Sequence, residues 1–171
     1  MAALCEKCGL NGCLVFQPRC VRVPGMNSLL GEVPIFAGLN DVALEQLLKT
    51  ARQLVVPAGE VIVREGEIHS LFYVIGSGSV RVCKNFGQPQ ERELITLGPH
   101  EFFGEMCILE ALPRAATVQA TTETTLFGLS AMAFYHLYKM QPAQYALLVL
   151  NIARDLSRRL RRSDEIFAAR H

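Results

Sequence analysis

Several absences narrow what this 171-residue sequence can be. No apolar run approaches the roughly 18 residues that a membrane-spanning helix needs, so no spanning segment is expected. A basic excess is also lacking: formal net charge is +1 at pH 7, whereas a general nucleic-acid binder is strongly basic. Disorder is disfavoured too, because 50% of the residues are apolar and net charge is close to zero. The N-terminus shows no basic region followed by an apolar stretch and a small-residue cleavage site. No signal peptide is therefore expected, and a cytoplasmic location is the default. There is no internal repeat, P-loop or HExxH motif, and His69, His100, His136 and His171 have no Ser or Cys partner motif. Catalysis is not expected.

What is present falls into three stretches. Residues 1–25 carry Cys5, Cys8, Cys13 and Cys20, while Cys83 and Cys107 stand apart. In a reducing compartment the cluster reads as thiols or metal ligands, and four thiols can close a zinc site or hold an iron–sulfur cluster. Met26 reads as a start, so residues 1–25 are set apart as a Cys-rich extension that need not be native. Residues 26–51 read as a helical lead-in, capped by Asn40 or Asp41, with Val42, Leu44, Leu47 and Leu48 at helical spacing. Residues 52–130 change to short β runs punctuated by "PAGE", "GSGS" and "NFGQPQ", the pattern of an antiparallel sandwich or barrel. Residues 131–167 return to helix. "AMAFYHLYKM" ends before Pro142, and Tyr145, Val149, Ile152, Leu156 and Leu160 then form an apolar stripe. "SRRLRR" reads as a solvated helix end, where cations are favoured by the helix dipole.

The chemistry concentrates in "FFGEMCILEALPRAATVQA", from Phe102 to Ala120. Glu105 and Arg114 stand nine positions apart in an otherwise apolar run. They could pair with each other, or both could face a ligand. "EMCILEAL" favours barely two helical turns, Pro113 stops them, and "RAATVQA" resumes a strand. A short helix interrupting a barrel strand is expected. Gly104 lets the backbone bend where that helix starts, and the free N–H groups of a helix start suit an anion. The planar fork of Arg114 suits a phosphate. Glu105 is an acceptor for hydroxyls, so the parts fit a small ligand with one phosphate and a sugar hydroxyl.

This stretch resembles the phosphate-binding cassette of the cyclic nucleotide-binding domain family. The pattern Phe-Gly-Glu, short helix, Pro-Arg-Ala-Ala-Thr-Val matches Phe103 to Val118 without insertion. "VPAGEVIVREGE" and "LFYVIGSGSVRV" extend the resemblance from about Gly31 to Arg162. It implies a mainly β fold with flanking helices over residues 26–171. That fold is an antiparallel β-roll (double-stranded β-helix, jelly-roll type) with a helical lead-in, a short phosphate-binding helix and a long C-terminal lid helix. It implies that Glu105 accepts from a ribose 2′-hydroxyl and Arg114 binds the cyclic phosphate. Gly104, Met106, Cys107, Ala115 and Ala116 would complete the cradle. Cys107 stands where the family usually has a small residue, and it reads as a small hydrophobe. Ala115 stands where cGMP-selective relatives often carry threonine, which leans the ligand toward cAMP over cGMP.

By the same resemblance the long helix would close over the ligand and pair with a second chain, giving a homodimer. The family's transcription factors carry a helix-turn-helix after that helix. This sequence stops at His171 without one, so no nucleic-acid partner is expected, and the signal would pass to an effector protein. A reading of a different class stands beside it: a metal- or redox-responsive interaction module that uses the N-terminal thiols and keeps a degenerate nucleotide pocket.

Overall fold

The computed structural model describes residues 31–68, 70–106 and 112–169, the side chain of Ile166 excepted. Pro34–Phe36 forms one 3-10 turn, which buries Ile35 and Phe36; Pro34 starts it because the fixed proline φ suits a first helical position. Asn40 then caps helix α1 (Asp41–Leu48), its side chain accepting from the Ala43 N–H at 2.8 Å. Ala43 and Leu47 form the buried line of α1, flanked by Leu44 and Leu48. Val42, expected on that face, is 64% exposed. At about 100° per residue it lies too far round the helix from the Ala43–Leu47 line.

Among the described residues eight strands follow: β1 (Arg52–Val56), β2 (Val61–Val63), β3 (Leu71–Ser77), β4 (Val80–Lys84), β5 (Arg92–Leu97), β6 (Phe102–Phe103), β7 (Thr117–Ala120) and β8 (Thr124–Ser130). They form two four-stranded antiparallel sheets, ordered β1-β8-β3-β6 and β2-β7-β4-β5. This is the expected antiparallel β-roll. One local expectation fails. β6 and β7 belong to different sheets, so what separates them is not an interruption of one strand. β6 pairs with β3, whereas β7 lies between β2 and β4.

Strand β3 is buried on both faces because side chains alternate across a strand. Leu71, Tyr73 and Ile75 join Phe103, Val118 and Leu126 in one core, inside the roll. Phe72 and Val74 join Phe102, Phe134, Leu137 and Ile152 in a second core beneath the helices. Such a strand reads as an unbroken apolar run, which is what "LFYVI" is.

Helix α2 (Ala131–Met140) is capped by Ser130 and ends before Pro142, which opens α3 (Pro142–Ala168). Leu148 and Ile152 of α3 are fully buried, and Tyr145, Leu147 and Leu156 pack partly on the same core. Leu160, expected to continue the stripe, is 63% exposed. Every described residue after Arg159 is exposed, the side chain of Ile166 excepted.

Candidate anion site

The site is built where β6 ends beside β3. Phe102 stacks on Phe72 with ring centroids 5.4 Å apart, in the core under the helices. Phe103 stacks on Tyr73 at 5.0 Å, inside the roll. The chain then turns sharply at Gly104, whose φ of +83° lies in the left-handed region. A Cβ there would collide with the Arg114 guanidinium and sit 3.0 Å from the Leu71 carbonyl oxygen. Glycine is thus required twice at one position, by the turn and by close approach. Glu105 follows, half-buried, and Met106 takes up helical backbone. Cys107 and most of the expected short helix lie outside the described residues, as do Cys5, Cys8, Cys13, Cys20, His69 and His171.

Arg114 is only 8% exposed. One terminal nitrogen donates to the Leu71 carbonyl at 2.5 Å and the other to the Gly104 carbonyl at 3.4 Å. The guanidinium carbon lies 6.0 Å from the centroid of the Tyr73 ring. Its Nε is buried and has no acceptor among the described residues. No ion pair joins it to Glu105 or to any other described acid. A buried cation without an anionic partner carries a desolvation cost that an entering anion relieves.

A second strip of hydrogen bonds holds the far side. The Arg114 N–H donates to Glu67 O at 2.8 Å, and the Arg114 carbonyl accepts from the Gly66 N–H at 2.9 Å. The Ala115 carbonyl accepts from Lys84 Nζ at 2.7 Å. Lys84 also pairs with Glu65 Oε1 at 2.5 Å, and Glu65 Oε2 accepts from the Asn85 N–H at 3.1 Å. The Lys84 hydrogen bond first, and the Asn85 N–H second, hold the Glu65 carboxyl below its usual range. Glu65 N–H in turn donates to Thr117 Oγ1 at 3.0 Å.

Sequence reasoning passed over Lys84 and Glu65. Nothing local marks them, and only the β4–β7 register, Cys83 opposite Thr117, brings Lys84 to the Ala115 carbonyl. Arg159 was also missed as a contact. It donates to the Phe102 carbonyl at 3.0 Å, lies 4.4 Å from that ring's centroid, and forms an ion pair with Asp155 at 2.7 Å.

Among the described residues no group of three His, Cys, Asp or Glu side chains could hold a metal. Cys83 lies in the protein interior, where burial pushes its thiol up. No described helix is long and apolar enough to cross a membrane.

The sequence model for the cyclic nucleotide-binding domain matches residues 53–141. A cyclic nucleotide-gated potassium channel of Rhizobium etli is 39% identical over 114 residues, covering 67% of this chain and 30% of the channel. The cyclic AMP receptor protein of Thermus thermophilus is 34% identical over 131 residues, covering 77% of this chain and 59% of that protein. The chain thus spans less than two thirds of either curated relative. In fold, it superposes on a crystallised cyclic nucleotide-binding domain from Methylobacillus flagellatus with a TM-score of 0.76 at 20% identity, covering 89% of each chain. A match over more than half of the length, on a β-roll with this glycine–arginine corner, shows that the chain belongs to the cyclic nucleotide-binding domain family.

Proposed function

We propose that the chain is a cyclic nucleotide sensor, preferring cAMP to cGMP, that regulates a partner protein and catalyses nothing itself. The observation that carries this reading is Arg114: buried and, among the described residues, with neither an acidic partner nor an acceptor for its Nε. A cyclic phosphate would supply the missing anion through charge-assisted hydrogen bonds. The terminal nitrogens now rest on the Leu71 and Gly104 carbonyls, so ligand entry exchanges peptide acceptors for phosphate oxygens. Glu105 would take the ribose 2′-hydroxyl, and Gly104, Met106, Cys107, Ala115 and Ala116 would line the rest of the cradle. Ala115 offers no hydroxyl to guanine, which favours adenine. Similarity to a cAMP receptor protein supports the same ligand class.

The signal would leave through α3. Its Arg159 grips Phe102, two residues before Gly104, so a shift of the cassette is felt by the helix. The ligand moves that equilibrium only as far as it binds one arrangement better than the other. The exposed outer turns of α3, including Leu160, are where a second copy would pair. We take residues 26–171 as the sensing domain and a cytoplasmic setting as its place of action.

Calorimetric titration of cAMP and cGMP into wild type and Arg114→Ala tests this reading. Wild type is expected to bind cAMP more tightly than cGMP. Hydrogen bonds to charged groups contribute about 1.5–3 kcal/mol each, so Arg114→Ala should weaken binding about a hundredfold. A wild type that binds neither nucleotide, or a variant that binds equally well, overturns it.

A further inference from the structure

The carbonyl of Ala115 is held from outside the cassette. Lys84, the last residue of β4, donates to it from Nζ at 2.7 Å. One peptide earlier, the Arg114 carbonyl accepts from the Gly66 N–H at 2.9 Å. A trans peptide is planar, with its N–H opposed to its C=O. The Gly66 bond therefore turns the Ala115 N–H away from the turn at residues 64–67. The Lys84 bond likewise turns the Ala116 N–H away from the end of β4. Among the described residues neither of these two N–H groups meets an acceptor.

We propose that Lys84 is a positioning residue for the nucleotide phosphate, aiming the Ala116 N–H at one exocyclic oxygen through its grip on the Ala115 carbonyl. This deepens the cyclic nucleotide reading above and rests on it. Glu65 keeps Lys84 in place: it pairs with Nζ at 2.5 Å and is itself fixed by Asn85 and Thr117. The pair is close to neutral as a unit, so Lys84 acts by orienting a peptide and adds little long-range attraction. Without it the Ala115–Ala116 peptide would have to be ordered on each binding event, at a cost in affinity.

The test titrates the whole chain, as wild type, Lys84→Met and Lys84→Arg, with cAMP and its two phosphorothioate diastereomers. Each diastereomer replaces one exocyclic phosphate oxygen by sulfur. The Lys84 side chain is 44% exposed, and methionine keeps most of its apolar stem, so the variant should fold. Melting of the ligand-free protein checks that point, and Lys84→Gln replaces Lys84→Met should it unfold. Loss of one oriented charge-assisted contact predicts cAMP binding weakened about tenfold in Lys84→Met. The preference between the diastereomers should change as well, with Lys84→Arg restoring both. An unchanged preference and affinity overturn the proposal. So does an equal loss for both diastereomers without rescue by Arg, since that is what mere destabilisation produces. If wild type binds no cyclic nucleotide, the functional reading falls and this proposal with it. If wild type binds normally and the variants match it, this proposal alone falls.

Discussion

Gly104 and Arg114 constrain each other within a few ångströms. The backbone at Gly104 has φ +83°, which strains any residue with a Cβ, and the guanidinium of Arg114 fills the space that a Cβ would take. Gly104→Ala should therefore cost about 1–3 kcal/mol in backbone strain and also push Arg114 from the Leu71 carbonyl. The expected outcome is a lower melting temperature with a nucleotide affinity reduced by more than the stability loss explains. Paired thermal melts and titrations check it, and unaltered affinity would separate the glycine from the site. Glu105, the other charged member of the run, makes no pair with Arg114. The acid and the base were legible in sequence because both sit in one contiguous stretch. Lys84 and Glu65 were not, because their role depends on which strand lies beside which.

At the scale of elements, α3 is tied by hydrogen bonds to other elements along its length, beginning where Gln144 Oε1 accepts from the Asn40 N–H at 2.9 Å. Near its middle, the Asn151 side-chain amide donates to the Ile35 carbonyl at 3.1 Å and to the Ala37 carbonyl at 3.0 Å. Two turns on, Arg159 reaches the Phe102 carbonyl and covers the Phe102 ring. Asn151→Ala removes the shared donor from two carbonyls, one of them buried, and should lower stability by about 1–3 kcal/mol. Urea unfolding measures this; a change within error would mean that apolar packing alone seats the helix. The apolar stripe was legible as a helical period, yet it did not say where packing stops. Ile152 is buried and Leu160 exposed, although both stand on the same apolar stripe, and no residue inside the helix records that difference. Val42 illustrates the same limit in α1, where an apolar residue next to the buried line remains outside it.

Across the whole molecule, two cores share strand β3 as a common wall. The candidate site stands at its edge, where Phe102 enters one core and Phe103 the other. A ligand that fixes Gly104 and Arg114 therefore bears on both cores at once. Binding to the folded state alone stabilises it by about 2.7 kcal/mol at a ligand concentration of 100 Kd. Saturating cAMP is expected to raise the melting temperature by several degrees in wild type and by much less in Arg114→Ala. A thermal scan with and without nucleotide reads this directly. Equal shifts in the two proteins would place the stabilising contact elsewhere than Arg114.

The sequence by itself determined the β-roll with its flanking helices, and the glycine–acid–arginine run of the candidate site. Both are written in short-range terms: alternation along strands, helical period, cap and turn residues, and one uninterrupted motif. Tertiary structure alone decided that β6 and β7, at the two ends of this run, belong to different sheets. It also decided that Arg114 rests on the Leu71 and Gly104 carbonyls with no acid among the described residues, and that Lys84 comes round to hold the Ala115 carbonyl. Those contacts join residues 10 to 43 positions apart. Strand order and register bring them together, and neither is encoded in the local pattern of any one segment.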